Sequence, residues 1–337
     1  MMASALVTGG AGFIGAHVAR HLLDRGYRVV VLDDLSGGSL DNVDKRAFFV
    51  RGSIEDADLI HQLFGQYGFE HVFHLAAYAA EGLSHFIRRY NYSINLIGSI
   101  NLINAAVNHG CKCFVFTSSI SVYGSAALPM RESCVPTPED PYGIAKYATE
   151  LDLRCARNMF GLNFIVFRPH NVYGELQNIG DRYRNVVGIF MNQLMQNKPL
   201  TIFGDGEQTR AFSYIGDVAP LIARSVEVSE AYNQVFNIGS DRTYTVNQLA
   251  QAAMRAMNRQ TRVLHLPGRQ EVKHAYAAHD KLRMVFGNMV TDTPLHEGMA
   301  NMARWAMKTG PKTCQSFDNI EIEKNLPETW QSSPNAN

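Results

Sequence analysis

Neither sign of charge prevails in this chain of 337 residues: Lys and Arg together number 31, and so do Asp and Glu. A balanced chain has no broad field with which to gather nucleic acid or an anionic membrane, so any recognition of phosphate must be local. Long hydrophobic runs are missing too. The apolar stretches at 5–7, 29–32 and 114–116 have strand length and fall far short of a bilayer span. Met1-Met2-Ala3-Ser4 leads into the first of them without the basic region, apolar region and cleavage site of a secretory leader, so a soluble, cytoplasmic protein is expected. Cysteine is scarce. Cys111, Cys113, Cys134, Cys155 and Cys314 are odd in number and spaced for neither a disulfide framework nor a zinc site, which predicts free thiols and no metal. Internal repeats and low-complexity segments are lacking as well.

What is present is strand-helix alternation. Residues 5–7 read as a short buried strand, and 13–25 carry Ile14, Val18, Leu22 and Leu23 at helical spacing before Gly26 ends the helix. Residues 27–32 read as the next strand, so 5–32 form one β-α-β unit. Further strands are expected at 47–50, 72–74, 112–117 and 163–167, with helices near 55–66, 88–109 and 142–160. This pattern predicts an α/β protein with a Rossmann-type, doubly wound parallel sheet. Past Tyr173 the regularity breaks into a polar loop, a helix near 186–196 and a turn at 203–207, and a strand at 235–238 returns to the sheet. The expected division is therefore a dinucleotide-binding domain over 1–174 with a returning segment near 212–240, and a smaller, discontinuous substrate lobe from 175–211 and 241–314. Residues 315–337 turn polar, which predicts a loosely attached tail with Trp330 as its anchor.

Thr8-Gly9-Gly10-Ala11-Gly12-Phe13-Ile14-Gly15 falls between the first strand and the first helix. A pyrophosphate must approach backbone closely at a helix N-terminus, where free N–H groups and the helix dipole favour negative charge. Gly9, Gly12 and Gly15 supply the tight turn, the close approach and the helix-to-strand contact. Asp33 ends the second strand at the spacing where a carboxylate meets the adenosine ribose hydroxyls, and it repels a 2′-phosphate. No Arg follows in Asp33-Asp34-Leu35-Ser36, so NAD is favoured over NADP. Asp33 and Asp34 could instead cap a turn.

Tyr142 and Lys146 lie four residues apart on one helical face. A tyrosine of pKa about 10 is a poor base at neutral pH, but an adjacent ammonium and an oxidised nicotinamide favour its phenolate. By itself the pair would read as an amphipathic helix; behind a dinucleotide motif it reads as a proton acceptor. Ser119 follows the strand 114–117 at the end where open α/β sheets bind ligands, and can hydrogen-bond a reacting hydroxyl or cap a turn.

The glycine motif, His74-Leu75-Ala76-Ala77, Ser118 to Gly124, Tyr142 to Lys146, and Arg168-Pro169-His170-Asn171-Val172-Tyr173-Gly174 together resemble the extended short-chain dehydrogenase/reductase family, most of all its nucleotide-sugar 4-epimerases. The resemblance spans about residues 3–285, in the family's order of motifs. It implies Tyr142 as the base, Lys146 as the group that orients the cofactor ribose and tunes Tyr142, and Ser119 as the partner of the sugar hydroxyl. It implies NAD contacts from Gly9, Gly12, Phe13, Ile14, Gly15, Asp33, Asp34, Ser53, Ile54, Leu75, Ala76, Ala77, Asn95, Ser118, Tyr142, Lys146 and Pro169. Substrate contacts are implied for Ser119, Ser121, Tyr142, Asn171, Asn185, Arg210 and Lys273, the arginine matching a phosphate-binding position.

The subtype follows from Ile120 and Ser121. Related 4,6-dehydratases carry an Asp-Glu pair there, decarboxylases keep the Glu, and 3,5-epimerases use a Cys, so the resemblance implies a 4-epimerase of UDP-hexoses that works through a transient 4-keto sugar with NAD held tightly. The departures are Ser53, Ala79, His170, Ala211 and Lys273, where relatives commonly carry other residues; His170 is either a pocket donor or a packed ring. Residues 271–276 are expected to border the hexose, and small Ala275 leaves room for an N-acetyl group. The glucose/galactose pair and the N-acetylated pair both remain open. Alternatives within the family are a UDP-glucuronate 4-epimerase, with Arg182 or Arg184 on the carboxylate, and a 4-ketoreductase; a noncatalytic dinucleotide sensor is the alternative from another class. A homodimer built on helices 88–109 and 142–160 is also implied.

Overall fold

The strands β1 (Ser4–Thr8), β2 (Arg28–Asp33), β3 (Phe48–Arg51), β4 (His71–His74), β5 (Cys113–Thr117), β6 (Phe164–Pro169) and β7 (Gln234–Ile238) form one sheet in the order β7-β6-β5-β4-β1-β2-β3. Every pairing in it is parallel. The structure is a computed structural model and describes residues 2–268, 272–314, 317–327 and 330.

Such a sheet needs cover on both faces, which explains why its strands are near-continuous apolar runs. Side chains alternate across each strand. Val7, Val31, Phe73, Val115 and Phe167 pack on one face with Val18 and Leu22 of the helix Phe13–Asp24 and Val218 and Ile222 of the helix Ile215–Arg224. Leu6, Val30, Val72, Phe114 and Phe116 pack on the other with Phe64, Leu102 and Leu153 from the helices Ala57–Tyr67, Gly98–Asn108 and Pro141–Phe160. The strand order reverses between β1 and β4, and a crevice opens there at the carboxyl ends of the strands.

The helix expected over 88–109 is a rod in three parts: Arg88–Tyr92, a π turn at Ser93–Ile97, and Gly98–Asn108. The π turn carries Asn95, and sequence periodicity holds no sign of it. A separate apolar cluster joins Val187, Phe190 and Leu194 to Leu249, Ala253, Met299 and Met302, from helices Val186–Met195, Val246–Ala256 and Leu295–Thr309. These segments are the ones on which the substrate lobe was expected.

The tail differs from expectation. Over its described residues it is docked, not loose: Phe317, Ile320, Leu326 and Trp330 pack against Tyr78, Leu83, Phe86, Ile87 and Tyr183. The Glu321 carboxylate accepts from the backbone N–H groups of Arg89 and Tyr90 at 2.8 and 2.9 Å, at the start of the helix Arg88–Tyr92. Widely spaced apolar anchors within a polar stretch give no periodic signal, and the charge that reads as solvated is a helix cap. Residues 331–337 lie outside the described ones. Among the described residues no helix is long and apolar enough to cross a membrane, no group of His, Cys, Asp and Glu is arranged to hold a metal, and the five cysteines are unpaired.

Candidate active site

A cavity of about 2070 Å³ opens at the carboxyl ends of the strands and extends under the lobe. Its floor is the glycine loop. Gly9 has φ 69°, and a Cβ on Gly15 would stand 2.1 Å from the Gly9 carbonyl oxygen, so side chains at these two positions would break the turn. Gly12 precedes the helix Phe13–Asp24 without a side-chain cap, which leaves the first N–H groups of that helix directed into the cavity. Asp33 closes this end of the site. Its Oδ2 accepts from the Ala11 N–H at 3.0 Å and its Oδ1 from Leu35 at 2.8 Å, while burial raises its pKa. The turn-capping reading of Asp33 is thus correct as far as it goes. Each oxygen keeps acceptor capacity toward the cavity that Asp33 lines.

At the far end the helix Pro141–Phe160 starts with Asp140 accepting from Gly143 N–H at 2.8 Å, with Pro141 in its first turn. This start fixes Tyr142 and Lys146 on the buried face. Lys146 is 2 % exposed; its Nζ donates to the Thr117 carbonyl at 3.0 Å and lies 4.7 Å from the Phe116 ring centroid. Burial lowers the Lys146 pKa to about 7, against the pull of Glu150. Burial pushes the Tyr142 phenol above its ordinary value, opposed by the neighbouring Ser119 hydroxyl. The Lys146 ammonium is aimed at the Thr117 carbonyl, and the positive charge expected to favour the Tyr142 phenolate comes from it together with an oxidised nicotinamide. Ser119 also caps the turn Ile120–Tyr123 and donates to Ser121 Oγ at 3.2 Å.

The other expected cofactor residues Phe13, Ile14, Asp34, Ser53, Ile54, Leu75, Ala76, Ala77 and Pro169 line the cavity. Two do so differently or not at all. The Ser118 hydroxyl turns inward and donates to Glu150 at 2.6 Å, so Ser118 offers the cavity main chain only. Asn95 is not on the cavity wall; its amide brackets Tyr78, accepting from the N–H at 3.0 Å and donating to the carbonyl at 3.1 Å, and so positions the wall.

On the lobe side Ser121, Asn171, Asn185 and Arg210 line the cavity, as do Arg182 and Arg184. Asn171 and Asn185 both have positive φ, 40° and 39°, which asparagine tolerates better than most residues. Arg210 donates to the carbonyls of Thr209 and Lys273, each at 2.9 Å. Lys273 corrects an expectation: its side chain is exposed and off the cavity, and its contribution is the carbonyl that steadies Arg210. Glu271, expected near the hexose, lies outside the described residues; Ala275 lines the cavity. His170 lines the cavity, with both ring nitrogens engaged by neighbours within the fold. It stacks on His279 at 5.2 Å, with Nδ1 toward the Ala211 carbonyl at 3.3 Å and Nε2 toward His279 Nε2 at 3.1 Å, and burial pushes its pKa down to about 3.

Sequence reading missed the support behind the site. Glu150 accepts from Arg168 at 2.9 and 2.6 Å as a fully buried bidentate pair, and Arg168 stacks 4.7 Å from the Tyr123 ring centroid. The helical spacing from Lys146 to Glu150 was the available signal. It also missed that Trp330, Pro327 and Ile322 of the tail line the cavity.

The pattern of the NAD dependent epimerase/dehydratase family matches residues 5–239. The chain belongs to that family. NAD is its cofactor. It is 37 % identical over 243 residues to a UDP-glucose 4-epimerase of Mycolicibacterium smegmatis, covering 70 % of this chain and 76 % of that protein. The crystal structure of UDP-glucose 4-epimerase from Thermotoga maritima with UDP-glucose superposes with a TM-score of 0.86 at 35 % identity, over 91 % of this chain and 99 % of that one. A UDP-N-acetylglucosamine 4-epimerase of Methanobrevibacter ruminantium, in complex with UDP-N-acetylmuramic acid, gives 0.85 at 28 % identity, over 92 % and 100 %.

The residues present fit the cofactor. The uncapped helix start suits its pyrophosphate, the Asp33 carboxylate suits an unphosphorylated ribose, and the buried Thr117 Oγ1 beside Lys146 has no hydrogen-bond partner among the described residues.

Proposed function

We propose that the protein is a nucleotide-sugar 4-epimerase that interconverts UDP-glucose and UDP-galactose, or the N-acetylhexosamine pair. The observation that carries the reading is that Tyr142 and Ser119 line the same cavity, with Lys146 Nζ 5.8 Å from the Tyr142 ring centroid. Bound between the glycine loop and Asp33, NAD would supply a hydride acceptor and donor for the sugar C4. Tyr142 Oη takes the proton of the C4 hydroxyl and returns it to the C4 oxygen after the sugar has turned. Ser119 Oγ holds that oxygen within reach of Tyr142. Asn171, Asn185 and Arg210 hold the nucleotide end while the hexose moves.

Ile120 and Ser121, the two residues after Ser119, can act as neither acid nor base at neutral pH, which supports epimerisation over elimination or decarboxylation. The small Ala275 on the cavity leaves room for an N-acetyl group and keeps both sugar pairs within the proposal. Five free thiols fit a reducing compartment and support the cytoplasm as its location. Exposed Ile144 and Leu151, seven residues apart on one helix, with exposed Ile97 on the neighbouring rod, support a homodimer packed through those helices.

The test is incubation of the purified enzyme with UDP-glucose, UDP-N-acetylglucosamine and UDP-glucuronate in separate reactions, without added NADH, followed by chromatography of the sugars. The C4 epimer of at least one of the first two supports the reading. Turnover only with stoichiometric NADH, or of the glucuronate alone, would reassign it.

A further inference from the structure

Arg184 belongs to the lobe side of the cavity by sequence, one residue before the cap of the helix Val186–Met195, yet it reaches the cofactor side. Its guanidinium lies 4.9 Å from the Tyr78 ring centroid, and Nη2 rests against Gly37, 3.3 Å from where a Cβ would stand. Gly38 in turn abuts the glycine loop: a Cβ there would be 2.5 Å from the Ala11 carbonyl oxygen and 2.8 Å from the Gly12 nitrogen. The fork of Arg184 therefore lies beside the main chain that precedes the uncapped helix Phe13–Asp24.

The side chain is held in that pose. Its Nε donates to Asp181 Oδ2 at 2.6 Å, and Asp181 Oδ1 accepts from the Tyr183 N–H at 2.9 Å. Tyr183 is fixed by the docked tail, its hydroxyl accepting from the Phe317 N–H at 3.1 Å and its ring meeting Trp330 edge-on at 5.3 Å. Nη1 and Nη2 make no hydrogen bond to any described residue. An arginine anchored through Nε presents its two terminal nitrogens as a pair, the geometry that matches phosphate oxygens.

Charge asks for such a group. The segment Thr8–Gly15 has no cation, and the neighbouring wall carries Asp33 and Asp34. Lys146 is committed to the Thr117 carbonyl, and Arg210 to carbonyls of the lobe. We propose that Arg184 is a cofactor clamp, pairing with the pyrophosphate of the dinucleotide from the lobe side, opposite the N–H groups of the helix start. The lobe thus takes part in holding the cofactor, and the docked tail contributes by fixing Tyr183. This rests on the assignment of NAD as cofactor and is independent of which sugar is turned over.

The test uses the full-length enzyme and the variants Arg184→Ala, Arg184→Lys and Asp181→Asn. NAD retained through gel filtration is measured in acid extracts, and calorimetric titration of the cofactor-depleted proteins gives Kd for NAD, ADP-ribose and adenosine. Arg184→Ala is expected to lose retained NAD and to weaken NAD and ADP-ribose about 20- to 100-fold, with adenosine changed less than about threefold, as for loss of a charge-assisted phosphate contact. Arg184→Lys keeps the charge without the fork and falls between; Asp181→Asn shows a smaller loss of the same pattern. Unchanged NAD and ADP-ribose affinity in Arg184→Ala overturns the proposal, as does adenosine weakening in step with them, which would mark a collapsed cleft. A raised KM for UDP-glucuronate with NAD affinity intact would give Arg184 to the substrate instead. Wild-type protein that binds neither NAD nor ADP-ribose would remove the cofactor assignment itself.

Discussion

Lys146 Nζ lies 5.8 Å from the centroid of the Tyr142 ring, one helical turn along, and donates to the Thr117 carbonyl instead of the phenol. Both groups pay for burial, the phenol by a raised pKa and the ammonium by one lowered to about 7. A phenol so placed becomes a base only when positive charge is brought next to it, by a protonated Lys146 and an oxidised nicotinamide. Tyr142→Phe is expected to lower kcat by about 10²–10⁴, the usual range for a removed general base. Lys146→Met removes the cation that favours phenolate, so the acid limb of its pH profile for kcat moves to higher pH. An unshifted limb would mean that Lys146 serves cofactor binding alone.

In the proposed account the Asp33 carboxylate sets the choice of dinucleotide. Asp33→Asn keeps an acceptor oxygen for the Ala11 or Leu35 N–H but removes the charge that repels a 2′-phosphate. The NADP-to-NAD affinity ratio, measured by fluorescence titration, is expected to rise at least about tenfold, equivalent to about 1.4 kcal/mol.

Much of the outline was legible because it rests on periodicity and on short backbone motifs. Continuous apolar runs marked the strands at β1, β2 and β5, and Gly9 and Gly15 marked a turn that admits no side chain. The direction of a side chain is a property of the assembled fold, so Ser118 and Asn95 could be placed near the cofactor by sequence but not turned toward Glu150 or Tyr78. Lys273 was misplaced for the same reason: it stands just before the strand His274–Ala275, with its carbonyl turned to Arg210 and its side chain to solvent. The tail was misjudged because Phe317, Leu326 and Trp330 find their partners in residues 78–87 and Tyr183, far away in sequence.

The Glu150 carboxylate is the hub behind the active-site wall, accepting from Arg168 and Ser118 with no exposure to solvent. Glu150→Gln leaves the Arg168 guanidinium buried without its counter-ion. A loss of about 3–5 kcal/mol in unfolding free energy is expected, the range for breaking a buried pair. Denaturant titration measures it, and a loss below about 1 kcal/mol, as for a surface pair, would count against the hub.

Acid lability should have a component from Asp241, whose pKa is lowered to about 2, first by His279 and then by Arg283. Its folded value lies below the unfolded one of about 3.9, so the stabilisation is present above that pH and disappears as pH falls through 2. Asp241 is nearly half exposed, so the effect is expected to stay below about 1 kcal/mol. The Tm of Asp241→Asn should lie below that of the wild type at pH 6, and the gap should narrow toward pH 2.5; a gap that widens on acidification would contradict this sign.

Return of one hydride to the carbon it left is the heart of the proposed chemistry, and deuterium at C4 of the sugar reports on it. UDP-glucose or UDP-N-acetylglucosamine labelled there, whichever is turned over, is incubated in ordinary water without added NADH and both epimers are examined by mass spectrometry. Full retention of the label in the inverted sugar, with turnover suppressed in Tyr142→Phe, is the predicted result. Label lost to solvent, or inversion that proceeds unimpaired in Tyr142→Phe, would contradict it.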